Sequence, residues 1–224
     1  MSDDACTTCR RPLPACVCDR VEALSTTRRV LILQHPQEQD ALLGSAQLVV
    51  ASLPRAQLVI GLSWKNLAHA LGEESVDPRR WAVVFPDREA EAGTVTTRAG
   101  ATLDVTKLDG LIVLDGTWSK AKTLWWRNAW LNKLSRITLA PKEPSIYGRL
   151  RAEPKRAYVS TLESVGAALT LAGEPPEVEA SLRRLFRTLV QRVRDAKLAP
   201  EALRLPKRTR PPRSPRPASG EPAT

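Results

Sequence analysis

The stretch 109–130 places the strongest constraint on how this chain can fold. It begins with four consecutive apolar residues at 111–114, a run suited to a strand buried on both faces. The sequence D-G-T-W follows at 115–118, and behind it Ser119 can cap a helix whose apolar residues recur at helical spacing. Strand, tight turn and helix in this order place Asp115 at the carboxyl end of a strand, where open α/β sheets bind their ligands.

An isolated D-G-T-W sequence also has a simpler interpretation. Asp and Thr often cap helices, and Trp is most often a core residue. The features found in the rest of the chain decide between this interpretation and a functional one.

Charge and length narrow the class of protein. The 224 residues suffice for one sizeable core with an appendage. They carry 34 basic and 24 acidic side chains, a net charge of +10, which indicates a polyanionic partner such as nucleic acid, although a merely basic soluble protein is the alternative. With no apolar run of about 18 residues and an acidic, polar N-terminus, we predict no transmembrane helix and no signal peptide, and hence a cytoplasmic protein.

The cysteines predict a zinc site. All four lie within the first 18 residues, at Cys6, Cys9, Cys16 and Cys18. The C-x2-C and C-x-C pairs each let one turn present two thiolates, and two such turns complete a tetrahedron around zinc. Two disulfides are the alternative, which a reducing compartment disfavours. Since four thiolates leave no open coordination position, the zinc is predicted to be structural, and Arg10 and Arg11 inside the knuckle are candidates for contact with phosphate.

Strand-like and helix-like segments alternate along most of the chain. Strands are predicted at 28–34, 57–62, 81–85, 111–114, 135–140 and 155–159. Helices are predicted at about 40–53, behind the D-G-T-W turn, and at 160–172 and 177–197, with a polar loop or marginal hairpin at 88–106. This alternation predicts an α/β fold with a mostly parallel sheet flanked by helices on both faces.

Several polar residues follow predicted strands or lie in a long connection. His35 and Glu38 follow the first strand, where His35 fits an acid or base as well as a hydrogen-bonded loop residue. The connection 141–154 is rich in proline and charge, and connections of this length are often functional. It contains Tyr147, Arg149 and Arg151.

The C-terminal part of the chain contains a capping box and a tail. Ser160 and Glu163 fit the S-x-x-E pattern, which explains both residues without any ligand. From Leu205 onward the chain has five basic residues, one acid and six prolines, a composition typical of a disordered tail that binds nucleic acid through phosphate contacts. We therefore predict a zinc knuckle at 1–24, a central domain at 25–204 and a basic tail at 205–224.

These residues together resemble the DTW-domain family of tRNA-uridine aminocarboxypropyltransferases. The matching features, in the family's order, are the four-cysteine knuckle, His35-Pro36-x-Glu38, Phe85-Pro86, Asp115-x-Thr117-Trp118, Tyr147-x-Arg149 and Ser160-Thr161-x-Glu163. Two positions depart from the family's pattern: Gly44-Ser45 stands where an Asn-Thr pair is expected, and Ser164 where alanine is usual.

The resemblance implies a fold akin to the SPOUT proteins, which include knotted chains and often form homodimers. It also implies S-adenosylmethionine as donor of a 3-amino-3-carboxypropyl group, N3 of a tRNA uridine as acceptor, and methylthioadenosine as the second product. The alternative enzyme is an RNA methyltransferase using the same donor, and ribosomal RNA is an alternative target. A zinc-knuckle RNA-binding protein without catalysis is the alternative outside enzymes, and the sequence indicates no obligatory protein partner.

Roles for individual residues follow from the resemblance and from the chemistry of the transfer. The catalytic residues are predicted to be Asp115, Thr117 and Trp118, with Asp115 as the base that removes the imide proton and Trp118 as a surface for the extruded base. The residues expected to bind the donor are Phe85, Leu114, Tyr147, Arg149, Ser160 and Glu163. Those expected to bind the RNA substrate are His35, Glu38 and Arg151. Trp125, by contrast, is predicted to belong to the core.

Overall fold

The computed structural model describes residues 5–85, 93–141, 143–150, 159–199 and 205. Its strands are β1 (Arg29–Gln34), β2 (Ala56–Ile60), β3 (Trp81–Val84), β4 (Thr94–Thr96), β5 (Gly110–Asp115) and β6 (Ser135–Thr138). Its α-helices are α1 (Ala46–Ser52), α2 (Leu67–Leu71), α3 (Trp118–Arg127), α4 (Thr161–Leu171) and α5 (Pro176–Asp195).

The strands form one sheet in the order β2-β1-β5-β3-β6-β4. Every neighbouring pair is parallel except β4 and β6, which pair antiparallel at one edge. β5 lies between β1 and β3, and its residues 110–113 are buried, as expected for an inner parallel strand. The predicted α/β fold with a mostly parallel sheet is therefore confirmed, whereas the likeness to SPOUT proteins and the knot stay predictions.

Helices cover both faces of the sheet, because successive strand residues point to opposite sides. On one face, Val30 and Ile32 belong to a core that also holds the apolar sides of α1, α4 and α5. On the other face, Leu31 and Leu33 pack in a second core with Trp125 of α3 and with residues of α2.

Helix α5 is amphipathic in the way its sequence predicts. Its buried stripe consists of Val178, Leu182, Leu185, Phe186, Leu189, Val190 and Val193. No helix in the described part of the chain is long and apolar enough to cross a membrane.

The helix predicted from residue 40 begins only at Ala46, so its first six residues were assigned wrongly. Asp40 has a φ of +68°, which a right-handed helix cannot accommodate. The guanidinium of Arg11 donates hydrogen bonds to the carbonyl oxygens of Leu42 and Gly44, at 3.0 and 2.9 Å. This segment is therefore a turn held by a distant side chain, and the burial of its leucines does not require a helix.

Other predictions fall partly outside the described residues. The polar segment 88–106 contributes the edge strand β4, and Thr96 bridges to Thr102 in a small hairpin. The strand predicted at 155–159 lies outside the description apart from Val159, which is not in a strand. Leu205, assigned to the tail, is only 4% exposed, and its N–H donates to the carbonyl oxygen of Asp40 at 2.8 Å.

Candidate active site and metal centre

The four cysteine sulfurs gather in one cluster, all within 4.8 Å of one another. The Sγ atoms of Cys6 and Cys18 are 3.8 Å apart, and those of Cys9 and Cys16 are 3.7 Å apart. Four thiolates around a tetrahedral zinc with bonds of about 2.3 Å stand about 3.8 Å from one another. The residues present therefore fit a closed zinc site of the predicted kind.

The thiols of the cluster differ in acidity. A hydrogen bond from the backbone N–H of Cys9 lowers the pKa of Cys6 to about 6. Burial raises the pKa of Cys18 and of Cys16. Cys6 therefore ionises more readily than Cys16 or Cys18, from which a metal ion must displace protons, so metal affinity rises with pH.

The two arginines of the knuckle fasten it to the domain. Arg11 is fully buried and binds the carbonyl oxygens of the turn before α1, and Arg10 forms an ion pair of 2.8 Å with Asp40. The proposed contact of Arg11 with phosphate is therefore wrong, because no solvent reaches this side chain. Arg192 of α5 pairs with Asp19 at 2.7 Å, which ties the knuckle to α5 as well.

Asp115 stands at the carboxyl end of β5 with donors on both carboxylate oxygens. Nε2 of Gln34 donates to Oδ2 at 2.7 Å, and the hydroxyl of Thr161 donates to Oδ1. Gln34 is opposite Asp115 in the parallel register of β1 and β5. These two hydrogen bonds fix the orientation of the Asp115 carboxylate at the carboxyl end of the strand.

The turn after Asp115 has room only for glycine. A Cβ on Gly116 would lie 2.8 Å from Cβ of Lys120, closer than such atoms approach. Thr117, rather than the predicted Ser119, is the residue that precedes the helix, and its side chain makes no capping hydrogen bond. The exposed Thr117 hydroxyl is thus not occupied by capping.

His35 and Glu38 reach the same edge of the sheet. The N–H of His35 donates to the carbonyl oxygen of Asp115 at 2.9 Å, and its Nδ1 accepts from the N–H of Gln37 at 3.2 Å. Glu38 accepts a hydrogen bond of 2.6 Å from Nζ of Lys120 in a largely buried ion pair. The structure therefore brings His35 to Asp115, and it pairs Glu38 with Lys120, a lysine that the sequence did not indicate.

The aromatic residues form a stack beside the turn. Phe85, at the end of β3, lies 4.0 Å from Trp125 and 5.9 Å from Trp118 between ring centroids, with the rings close to parallel. Trp125 is 6% exposed, which confirms it as core. Trp118 is half-buried, and the ammonium of Lys122 lies 5.2 Å from the centroid of its ring.

Glu163 fastens the connection that contains Tyr147. It completes the capping box with Ser160 and also accepts from the hydroxyl of Ser145 at 2.9 Å and the N–H of Ile146 at 3.1 Å. Glu163 is only 1% exposed, and these groups of the protein already donate hydrogen bonds to its carboxylate. Its contact with bound S-adenosylmethionine stays a prediction.

Tyr147 is buried as well, against Phe186, and its hydroxyl donates to the carbonyl oxygen of Leu43 at 3.3 Å. The side chain of Arg149 and the whole of Arg151 lie outside the described residues.

Three residues of the site were missed by the sequence reasoning: Gln34, Lys120 and Thr161. A signal existed for Thr161, which lies inside the Ser160-Thr161-x-Glu163 motif, and for Gln34, a polar residue that ends an apolar run. At the first departure from the family's pattern, the Ser45 hydroxyl accepts a hydrogen bond of 3.3 Å from the N–H of Leu162. The departing residue thus supports the helix that contains Thr161.

The fold and site define an α/β domain with a cluster of four cysteines that could hold a metal ion and a carboxylate held at the strand ends. A sequence model of the DTW domain matches residues 3–194, and the chain belongs to the DTW domain family.

Three curated proteins that are similar to this chain, from three animal species, share one name. The tRNA-uridine aminocarboxypropyltransferase 2 of Macaca fascicularis is 26% identical over 194 residues, covering 82% of this chain and 61% of that protein. The Drosophila melanogaster protein of the same name is 28% identical over 192 residues, with 82% and 72% covered. The Mus musculus protein is 28% identical over 197 residues, with 82% and 61% covered. The chain thus spans about three fifths of the length of the macaque and mouse relatives, and no solved structure matches it.

Proposed function

We propose that this protein transfers the 3-amino-3-carboxypropyl group of S-adenosylmethionine to N3 of a uridine in tRNA and releases methylthioadenosine. The names of the relatives support tRNA uridine as acceptor and the aminocarboxypropyl group as the transferred moiety. Membership of the DTW domain family supports extending this activity to the chain.

One observation carries the proposal: the Asp115 carboxylate is held at the sheet edge by Gln34 and Thr161, beside His35. The uridine imide is a weak nucleophile until its N3 proton is removed. Asp115 accepts that proton, and N3 then attacks the carbon bonded to the sulfonium. A bond from N3 to carbon forms, the carbon–sulfur bond breaks, and its electron pair leaves with methylthioadenosine.

Alignment is the main requirement of such a displacement, because sulfonium is already a good leaving group. Held by two hydrogen bonds, Asp115 does not need to be reorganised when the substrates bind. The Lys120–Glu38 ion pair keeps the turn after β1 against α3, and Glu163 keeps the Tyr147 connection against α4. These contacts fix the walls between which the two substrates meet.

The donor is proposed to lie near Phe85, Leu114 and the Tyr147 connection, with Arg149 as a fork for its carboxylate. Leu114 immediately precedes Asp115 on β5, and Phe85 directly follows the neighbouring strand β3. Zinc bound by the four cysteines would supply a structural crosslink, since four thiolates leave no position open for a substrate. A cytoplasmic location is part of the same proposal.

A labelling experiment tests the proposal directly. Purified protein is incubated with tRNA and with donor labelled either in the aminocarboxypropyl chain or in the methyl carbon, and the RNA is digested to nucleosides for mass spectrometry. We expect label only from the aminocarboxypropyl chain. A modification at N3 blocks the pairing edge of uridine, so reverse transcriptase should stop at the modified uridine and show its position in the tRNA.

Each alternative gives a different result. Label from the methyl carbon indicates a methyltransferase. Binding of tRNA with neither label transferred indicates a binding protein without catalysis. Ribosomal RNA in a parallel reaction distinguishes the two kinds of acceptor, and transfer to ribosomal RNA alone would contradict tRNA as the substrate.

A further inference from the structure

Trp126 lies on the outside of α3 and is 76% exposed. The neighbouring tryptophans are used internally: Trp125 is buried in the core, and Nε1 of Trp130 donates to the carbonyl oxygen of Trp64 at 3.0 Å. A single exposed apolar side chain does not by itself mark an interaction site, so the neighbours of this indole on α3 have to be considered with it. Folding of the domain does not explain the position of this indole.

Trp126 continues a ridge that begins at the proposed active site. Trp118, Lys122 and Trp126 are four residues apart along α3, the spacing that places side chains next to one another on a helix. Lys122 already lies 5.2 Å from the ring centroid of Trp118. At 1.5 Å per residue, the ridge extends about 12 Å from Trp118, next to Asp115, toward Trp126.

The surroundings of this ridge are cationic. Residues 116–141 contain five lysines and arginines and no acidic residue. Lys120 pairs with Glu38, and Arg136 lies over the ring of the buried Trp125, whereas Lys122 and Arg127 are exposed on α3. An aromatic surface with cations beside it suits unpaired nucleotides, whose bases stack on the ring while their phosphates meet the charges.

We infer that Trp126 stacks an unpaired base of the RNA substrate and that Lys122 contacts the adjoining phosphate, one nucleotide or more away from the uridine at Asp115. This inference rests on the proposed function for the identity of the RNA. A second copy of the chain is a poorer occupant, because a two-fold contact through this face would bring Lys122 and Arg127 close to their own copies. The exposed indole thus selects RNA in which the bases beside the target are unpaired.

Equilibrium binding of labelled tRNA without donor, measured over a range of salt concentrations, tests the inference. Trp126→Ala should weaken binding about tenfold while leaving the salt slope unchanged, because stacking releases no counterions. Trp126→Phe, which keeps an aromatic face, should retain most of the affinity. Lys122→Gln should lower the slope by about 0.7 to 0.9. Arg55→Gln, at the opposite edge of the sheet, is the matched control and should leave the slope unchanged.

Two further measurements make the result decisive. Affinity for a hairpin with an unpaired loop should fall in Trp126→Ala, while affinity for a blunt duplex should not. Unchanged tRNA affinity in Trp126→Ala, or a change in its oligomeric state by sedimentation, would overturn the inference. Because donor is absent throughout, these results are independent of whether the wild-type protein transfers the aminocarboxypropyl group.

Discussion

Thr161, the first residue of α4, donates a hydrogen bond from its hydroxyl to the carboxylate of Asp115 at the end of β5. Ser160 already caps α4, so the Thr161 side chain is not needed for that task. The contact links the central strand to the helix whose Glu163 holds the Tyr147 connection. Thr161 is therefore a positioning residue for Asp115.

Asp115→Asn should abolish most of the turnover while tRNA and donor binding are retained. The substitution removes the proposed base, whose contribution is about 100-fold or more. Oε1 of Gln34 has no hydrogen-bond partner among the described residues, so a flipped Gln34 amide can accept from the new amide group. Single-turnover rates and equilibrium affinities check this. Asp109→Asn, before the other end of β5, is the control, and near-normal turnover in Asp115→Asn would move the role of base to His35 or Glu38.

Thr161→Val should lower single-turnover rates about tenfold with little change in melting temperature. It leaves one oxygen of Asp115 without its donor, and a hydrogen bond to a charged group contributes about 1.5–3 kcal/mol. Thr161→Ser keeps the hydroxyl and should restore the rate. A purely structural role for Thr161 predicts the reverse pattern, with an altered melting temperature and an unaltered rate.

The cysteine cluster should bind one zinc per chain, measured by elemental analysis of the purified protein. Chelation or Cys9→Ser should lower the melting temperature, because the knuckle is tied to the turn before α1 and to α5. It should impair tRNA binding more than donor binding, because none of the residues expected to bind the donor lies in the knuckle. Chelation should also become easier as pH falls, since protons compete with the metal for the thiolates. Zinc-free protein with two disulfides would contradict this expectation.

Sequence patterns predicted the parts of the fold that depend on neighbouring residues. The apolar run of β5, the spacing of α3 and the stripe of α5 are local signals, and each element formed where it was expected. The two hydrogen bonds that hold the Asp115 carboxylate could not be predicted in this way, because their donors Gln34 and Thr161 are 81 and 46 residues away in sequence. The sheet order brings them together, and no local pattern encodes that order.

The false helix start at residue 40 has the same origin. The apolar spacing is consistent with a helix, but Arg11, 31 residues earlier than Leu42, takes the carbonyl oxygens that a helix would need. The cysteine knuckle, through Arg11, thus changes the secondary structure of a segment far from it in sequence. Its cysteines were predictable because metal ligands have a characteristic spacing, whereas its arginines were not.

A chain ending at Leu205 should be as stable as the full chain but bind tRNA more weakly and with a flatter salt dependence, because residues 206–224 contribute their charges to phosphate contacts. A chain ending at Arg204 should in addition lose about 2 kcal/mol of stability, because Leu205 is buried. Urea unfolding and salt-dependent tRNA binding of the two truncations check this. Equal stability of the two chains would show that Leu205 does not contribute to the folded domain. An unchanged salt slope of tRNA binding would show that the tail does not contact phosphates.

Glu174 should account for part of the acid sensitivity of the fold. Burial raises the pKa of its carboxyl, but hydrogen bonds from Thr27 and Arg28 outweigh burial and bring the pKa below the ordinary 4.5. Its ionisation therefore stabilises the folded chain above pH 4.5, and this stabilisation is lost as pH falls below that value through the folded pKa.

Glu174→Gln should accordingly unfold more easily at neutral pH and lose less stability than the parent between neutral pH and acid. Urea unfolding at a series of pH values measures this, with Glu22→Gln, an exposed acid, as control. Parallel pH profiles for parent and Glu174→Gln would show that other carboxyl groups govern acid unfolding.

The position of β5 has a consequence for the order in which the chain assembles. During synthesis β1 and β3 emerge first, yet they are not neighbours, and only β5 pairs with both. Until residues 110–115 are synthesised, the pair β1–β2 and the strand β3 each have an unpaired edge where β5 will bind. Pairing through β5 joins residues far apart in sequence and is therefore slow. The strand that closes the gap is also the one that ends in Asp115. Any molecule that has completed its sheet has therefore already positioned the main chain of the proposed active site.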